Sequence, residues 1–464
     1  MEMLIDGKWI DKVEKIRDMN PYTQVLVGSV PKGNPKDVGA AFKAVSEARI
    51  RLSKKERHNL LISAAMELDN QLKEFSTLIS MESGKPIKES KREVKQAIQI
   101  LLLCAEESIV EHGSASEANI TKALHGKIAI SVREPLGVIA ILTDYANPLS
   151  SVVARIAPVI ASNNKAVLLP SEKAPLAGLM FMKILVDCGM PVNMVNAVTG
   201  YYKDIGELIT TSPRANMVCF VGERERANSI AEIAGMKKLH FEIKGNNAMI
   251  ILEDSDVENA AKIAVQAAFS ASGQSPEALK HIIVMKSVSG EFIQQFVLNT
   301  KKLMVGDPLK ENTDMGTMID EDSSKEVEAK VKQYVDAGAM LMCGGERQGS
   351  LIWPAILQVP INSEVLNTRI DGPVVTVSTA ENEAEVIKTV NAMPNVINIG
   401  LFTNTIELAK IFAQELAARV VSVNSYPNAV LPNMPTEGTK EGGFGRIGVR
   451  DTIDEMTKWK VILM

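Results

Sequence analysis

Cysteine, histidine and aromatic residues are all sparse in this chain, and each scarcity closes off a class of chemistry. Four cysteines in 464 residues, Cys104, Cys188, Cys219 and Cys343, stand far apart and form no C-x-x-C pair, so neither a disulfide framework nor a zinc site is expected. The five histidines, His58, His112, His125, His240 and His281, are equally scattered, and no metal site is expected. No apolar run approaches the ~20 residues that cross a bilayer. The opening MEMLIDGKWI is too acidic and too short in apolar residues for a signal peptide. A formal net charge of only −5, with no long basic run, gives no reason to expect nucleic acid. A cytoplasmic protein without membrane contact is the expectation.

What is present describes a globular α/β chain. Hydrophobic residues make up 46% of the sequence and charged residues 23%. The length exceeds what one core usually serves, so two or three domains are expected. Methionines (22) outnumber the aromatic residues and are read as core filler. The N-terminal hundred residues read as helical. Asn34-Pro35 supplies a cap, with Val38, Ala41, Phe42, Val45 and Ala48 at helical spacing behind it. Ser53-Lys54-Lys55-Glu56 is a capping box, after which Leu60, Leu61, Ala64, Leu68, Leu72, Phe75 and Ile79 trace one apolar face as far as Gly84-Lys85-Pro86. Residues 127–134 alternate as a strand with one wet face. Short apolar runs at 137–142, 166–169, 194–198, 217–221 and 248–252 then alternate with helical segments, the pattern of a parallel sheet covered on both sides. A second series of strands and helices runs from His281 to Asn424.

Several motifs fall in a fixed order: Asn20-Pro21-Tyr22, Glu82-Ser83-Gly84-Lys85-Pro86, Arg133-Glu134-Pro135-Leu136-Gly137-Val138, Pro170-Ser171-Glu172 and Phe220-Val221-Gly222. Gly273-Gln274, Gly372-Pro373-Val374, Gly400-Leu401-Phe402-Thr403 and the closing Gly442-Gly443-Phe444-Gly445-Arg446-Ile447-Gly448 follow. In this order and across the whole chain the sequence resembles the aldehyde dehydrogenase superfamily, leaning toward prokaryotic lactaldehyde and non-phosphorylating glyceraldehyde-type members. The resemblance implies a Rossmann-like cofactor-type domain over 1–112 and 135–241 and a catalytic-type α/β domain over 242–451. It further implies an oligomerisation element over 113–134 and 452–464, with a dimer or tetramer as the self-assembly.

The same resemblance assigns roles, and this chain departs from most of them. The family's base position corresponds to Glu242, in His240-Phe241-Glu242-Ile243-Lys244-Gly245, and is kept. The nucleophilic cysteine of the Gly-Gln-x-Cys motif falls on Pro276, which has no nucleophile, no ionisable proton and no main-chain N–H. The oxyanion asparagine falls on Ala146, with Asn147 one residue late and read as a loop-turning residue before Pro148. Around the cofactor, Leu169 stands where a ribose-binding lysine is common, ahead of Glu172. Glu223 follows Gly222 where a pyrophosphate would meet a helix N-terminus, and is expected to satisfy that helix end itself. Arg369 and Asp371 replace the glutamate and phenylalanine that grip the nicotinamide ribose, and are expected to pair with charges such as Glu223 or Lys244.

These departures point to a catalytically inactive member, a pseudoenzyme with a structural, regulatory or ligand-binding role, with NAD(P) bound weakly or not at all. Self-association, and association with an active paralogue, are the partners implied. The alternatives are an NAD(P)-dependent aldehyde oxidoreductase with a non-standard active site, for which Ser275 is the nearest other nucleophile, and a nucleotide- or aldehyde-binding sensor. Cys219, inside an apolar run, is read as an inert core thiol.

Overall fold

The computed structural model describes the chain except residues 111, 112, 120, 428–431 and 439–440, so His112 and the boundary expected there lie outside the described residues. The first thirty residues are strands, which corrects the helical expectation. Met3–Ile5 and Lys8–Ile10 form a hairpin closed by Asp6 (φ 53°) and Gly7 (φ 70°), a two-residue turn whose positive φ values match strand twist. Lys15–Met19 pairs with Leu26–Pro31 and buries Ile16 and Asp18 on alternate positions. Burial along Lys15–Met19 alternates with a period of two, whereas the helical period begins only behind Asn34.

The helices that follow start where their caps predict. Asn34 and Ser53 each accept from the third helical residue, and Asp37 and Glu56 return the bond. The single apolar face expected from Leu60 to Ile79 belongs to two helices, Lys54–Asn70 and Leu72–Ser83, because Gln71 (φ −99°, ψ 14°) breaks the ladder between them. Both still bury that face in one core with Ile87–Ile109 and Ser150–Ala161. Gly84 ends the second helix in the left-handed conformation (φ 75°).

Two large sheets organise the rest. The first has eight strands, its parallel centre running Val195–Ala197, Lys165–Leu169, Val138–Leu142, Met217–Gly222, Lys238–Ile243. The second has seven, centred on the parallel strands Val374–Ala380, Leu279–Met285, Asn247–Ile251, Asn398–Phe402. Nearly every residue of these central strands is buried on both faces, as their unbroken apolar runs require. The chain first passes from one sheet to the other through Lys244, Gly245 and Asn246 alone, and returns to the first sheet at Gly443–Phe444. A smaller sheet joins Gly113–Glu117, Ile128–Pro135 and Thr457–Leu463, the last two in register from Pro135↔Thr457 to Ala129↔Leu463. Among the described residues no helix is long and apolar enough to cross a membrane.

Candidate functional site

A cavity of about 960 Å³ opens at the carboxyl ends of the first sheet's strands, where α/β folds place ligands. Leu169, Glu172, Gly222, Glu223, Arg369 and Asp371 all line it. Ala146, Glu242 and Pro276 do not, and Arg369 reaches from the cavity wall back to the Ser275 carbonyl (2.8 Å) and the Gly245 carbonyl. The expected residues therefore fall into a cavity group and a deeper group joined by one guanidinium.

In the deeper group, every backbone element is anchored. Glu93 accepts from the Leu149 and Ser150 amides (2.9 and 3.1 Å) and from Lys85 (2.5 Å), and Lys85 also donates to Asn147 Oδ1 (2.9 Å). Asn147 is thus committed to a buried ion pair, a role beyond the loop-turning one expected of it. The Ala146 methyl beside it is buried. Across the site the Glu89 carboxylate holds Ser270 Oγ (2.9 Å) and the Ala271 amide (2.7 Å). Ala271, Ser272 and Gly273 follow with φ of 47°, 53° and 67°, three left-handed residues in a row. A Cβ on Gly273 would lie 2.2 Å from the Gly372 carbonyl oxygen, so that position admits only glycine. Gln274 Oε1 accepts from the Ile319 amide (2.9 Å), and Lys280 bridges the Gly273 and Gly372 carbonyls (2.6 and 2.8 Å). Pro276, at the end of this loop, is buried and offers only its carbonyl, which accepts from the Gly245 amide (3.1 Å) and Asn247 Nδ2 (3.2 Å).

The deeper group's ionisable side chains are unequal. Glu242 forms a salt bridge with Arg155, the one charged residue in the apolar helix Ser150–Ala161. Burial favours the protonated form, but Arg155 and Arg419 outweigh it and hold Glu242 down at about 2. Next to it, burial and the Glu242 charge push Glu277 up to about 6. Ser275 Oγ donates to Glu277 Oε2 (2.7 Å), so its hydroxyl is bound to a side chain as well as to the Glu277 amide (3.4 Å). Sequence reasoning overlooked Arg155 and Glu277. The signal for Arg155 was a lone charge in an apolar helix, which needs a partner; Glu277, among Gln274, Ser275 and Lys280, gave none. Cys219 is fully buried and its thiol is pushed up to about 12 by burial.

In the cavity group, Lys244 is the centre. Its ammonium lies 2.5 Å from Asp371 Oδ2, 2.8 Å from Glu223 Oε1 and 3.4 Å from the Tyr145 hydroxyl, and 4.7 Å from the centroid of the Tyr145 ring. Burial alone would lower the Lys244 pKa, but Asp371, Tyr145 and Glu223 raise it well above the usual lysine range. Arg369 Nη2 meets Asp371 Oδ1 (3.0 Å), and the Tyr145 hydroxyl donates to Asp371 Oδ2 (2.8 Å). Asp371 therefore pairs with Lys244 as expected, whereas Arg369 pairs with Asp371 itself. Glu223 does not satisfy the helix Arg224–Ile233, because its side chain makes no capping bond and turns to the stronger partner, Lys244. Asp144 lines the cavity too. Both its oxygens are buried without a hydrogen-bond partner, and burial pushes it up to about 6. Among the described residues no group of three or more His, Cys, Asp or Glu is arranged to hold a metal ion.

The family model for the aldehyde dehydrogenase family matches residues 9–462. The chain belongs to the aldehyde dehydrogenase family. It is 34% identical, over its full length and 99% of the relative's, to the lactaldehyde dehydrogenase of Methanococcus maripaludis strain S2. It is 31% identical, over its full length and 97% of the relative's, to the 3-sulfolactaldehyde dehydrogenase of Priestia megaterium. Among solved structures, glyceraldehyde-3-phosphate dehydrogenase from Methanocaldococcus jannaschii complexed with NADP superposes with a TM-score of 0.94 at 29% identity, covering 98% of this chain and 100% of that one. The NADP-dependent glyceraldehyde-3-phosphate dehydrogenase of Bacillus halodurans, also complexed with NADP, gives 0.96 at 28% identity, covering 100% and 98%. The two sheets and their connection are thus those of the aldehyde dehydrogenase fold, with its α/β architecture.

Proposed function

We propose that this aldehyde dehydrogenase family member binds a ligand in its cleft without carrying out thiol-dependent aldehyde oxidation. The reading rests on one observation: the groups that would act on an aldehyde or a dinucleotide are engaged with one another. Glu242 is held by Arg155 at a pKa where it has little affinity for a proton at neutral pH. The carbonyl of Pro276, assigned to the nucleophile position, is bonded to the Gly245 amide, and Ala146 brings no side-chain amide to an oxyanion. The cavity residues fit NAD(P) poorly. Leu169 cannot bond a ribose, and Glu223 and Asp371 present carboxylates, already paired with Lys244, where phosphate and ribose would have to settle. The division of the chain at 112, 134, 241 and 451 into cofactor-type, oligomerisation and catalytic-type parts belongs to this reading, as do self-assembly and association with an active paralogue.

A second reading, an aldehyde oxidoreductase with a non-standard site, is supported by the full-length similarity to proteins named lactaldehyde dehydrogenase and by the Ser275–Glu277 hydrogen bond. Purified protein assayed with lactaldehyde, glyceraldehyde and succinic semialdehyde, with NAD and with NADP, separates the two. The first reading expects no turnover above background and no micromolar dinucleotide binding by calorimetry. Turnover lost in Ser275→Ala establishes the second. Turnover that survives both Ser275→Ala and Glu242→Gln removes Pro276 from the nucleophile position altogether.

A further inference from the structure

Four charges on the cavity wall are joined by ion pairs, two cations, Lys244 and Arg369, and two carboxylates, Asp371 and Glu223, with the buried Asp144 and Lys280 acting on them through space. They are held very unequally. Side-chain exposure is 1% for Lys244, 11% for Arg369 and 24% for Asp371, and Asp371 is gripped by Lys244, Arg369 and the Tyr145 hydroxyl. Glu223 is 51% exposed and touches the cluster through a single contact, the 2.8 Å pair with Lys244. Nothing in its own helix requires that orientation, since its side chain leaves the first turn of Arg224–Ile233 uncapped. A half-exposed carboxylate thus leans from the cavity mouth onto a deeply buried ammonium.

We infer that Glu223 is a tethered substitute for the carboxylate of a small ligand, and that the cavity binds a monocarboxylate compound whose oxygen takes the place of Glu223 on Lys244. The inference rests on the ligand-binding reading of the cleft given above and names the class of ligand. Charge decides the class. Exchanging one monoanion for another leaves the four-charge cluster neutral, whereas a phosphate group at about −1.5 to −2 leaves it negative in a poorly solvated place. Asp144, buried and unpartnered on the same wall, sharpens that discrimination, because a further anion would face it without a compensating donor. The exposed stem of Glu223 lets it swing outward while Lys244, Asp371 and Arg369 stay in place. A tethered carboxylate competes at a high effective concentration, so it lowers the apparent affinity of the free ligand it imitates.

Calorimetric titration of the full chain with propionate tests this, with propionamide as neutral isostere and inorganic phosphate as the more highly charged anion. Glu223→Gln, which keeps the shape and removes the competing charge, is expected to bind propionate at least tenfold more tightly than the unaltered protein, while propionamide binds neither. Adding Lys244→Met to Glu223→Gln is expected to abolish the gain, and adding Lys244→Arg to retain most of it, with melting curves showing that each variant is folded. Equal propionate binding with and without Glu223→Gln, equal binding of propionamide, or tighter binding of phosphate overturns the inference. Aldehyde turnover in the assay above overturns the ligand-binding reading instead, so the two failures are told apart.

Discussion

Arg155 lies mid-helix among Val152, Val153, Ile156 and Ala157, and its guanidinium meets Glu242. Because the folded pKa of Glu242 is depressed from the ordinary 4.5 to about 2, its contribution to stability is fully present above pH ~4.5 and lost as pH falls toward 2, on the order of 3 kcal/mol. Glu242→Gln is expected to remove that part of the acid sensitivity in urea unfolding between pH 2 and 4.5. Arg155→Met removes the hydrogen-bonded partner of a buried carboxylate and leaves only the more remote Arg419 acting on it, so it should cost ~3–5 kcal/mol at neutral pH. Asp18 carries the opposite sign. It is buried beside Glu82, and burial raises it from 3.8 to about 7. Its stabilising protonated state is fully present below pH ~4 and lost as pH rises through 7. Asp18→Asn should therefore flatten a decline in melting temperature between pH 4 and 7, and an unchanged slope would exclude Asp18 as its source. Neither partnership was legible in the chain, since Arg155 and Glu242 are far apart in sequence and only the helix-on-sheet packing joins them.

At the scale of elements, the loop before Pro276 stores conformational strain. Left-handed backbone at Ala271 and Ser272 costs ~1–2 kcal/mol each. The bonds from Glu89, Gln274 and Lys280 hold it there. Ser272 also buries a hydroxyl with no partner. Ser272→Gly is expected to raise stability by ~1 kcal/mol in denaturant titration, whereas Gly273→Ala, meeting the Gly372 carbonyl, should lower it by ~2–4 kcal/mol. Such features leave no trace in a residue pattern, because φ at a non-glycine residue is imposed by contacts distant in sequence. Elements whose cause is local were legible: the cap at Asn34, the capping box at Ser53, and the apolar central strands. The N-terminal hairpin was not, since its strands are three residues long and give too little alternation to set a period. The break at Gln71 carries no glycine or proline to announce it.

For the molecule as a whole, the three-stranded sheet is the surface most in need of a neighbour. Trp459 and Val461 on its last strand are 57% and 65% exposed, and Gly113–Glu117 leaves an open edge. A dimer or tetramer is expected by light scattering, weakened by deletion of 459–464, and a well-behaved monomer of the full chain would refute it. Six residues that line the cavity, Leu169, Glu172, Gly222, Glu223, Arg369 and Asp371, were legible in the order of motifs, although Asp144 and Tyr145 beside them were not. What those residues do to one another was not, since the pairing of Glu223 with Lys244 rather than with its own helix is settled by competition between two partners.

The three-residue passage between the sheets has a mechanical meaning. The amides of Lys244, Gly245 and Asn246 are bonded in turn to the carbonyls of Gly222, Pro276 and Asn395, so a segment short enough to act as a pivot is fastened on both sides. The side chain at the head of that pivot is the ammonium shared by Glu223 and Asp371. A ligand that displaces Glu223 from Lys244 is therefore expected to change how firmly this segment is held. The exchange rate of these three amides would report occupancy of the cleft even where no ligand is seen directly.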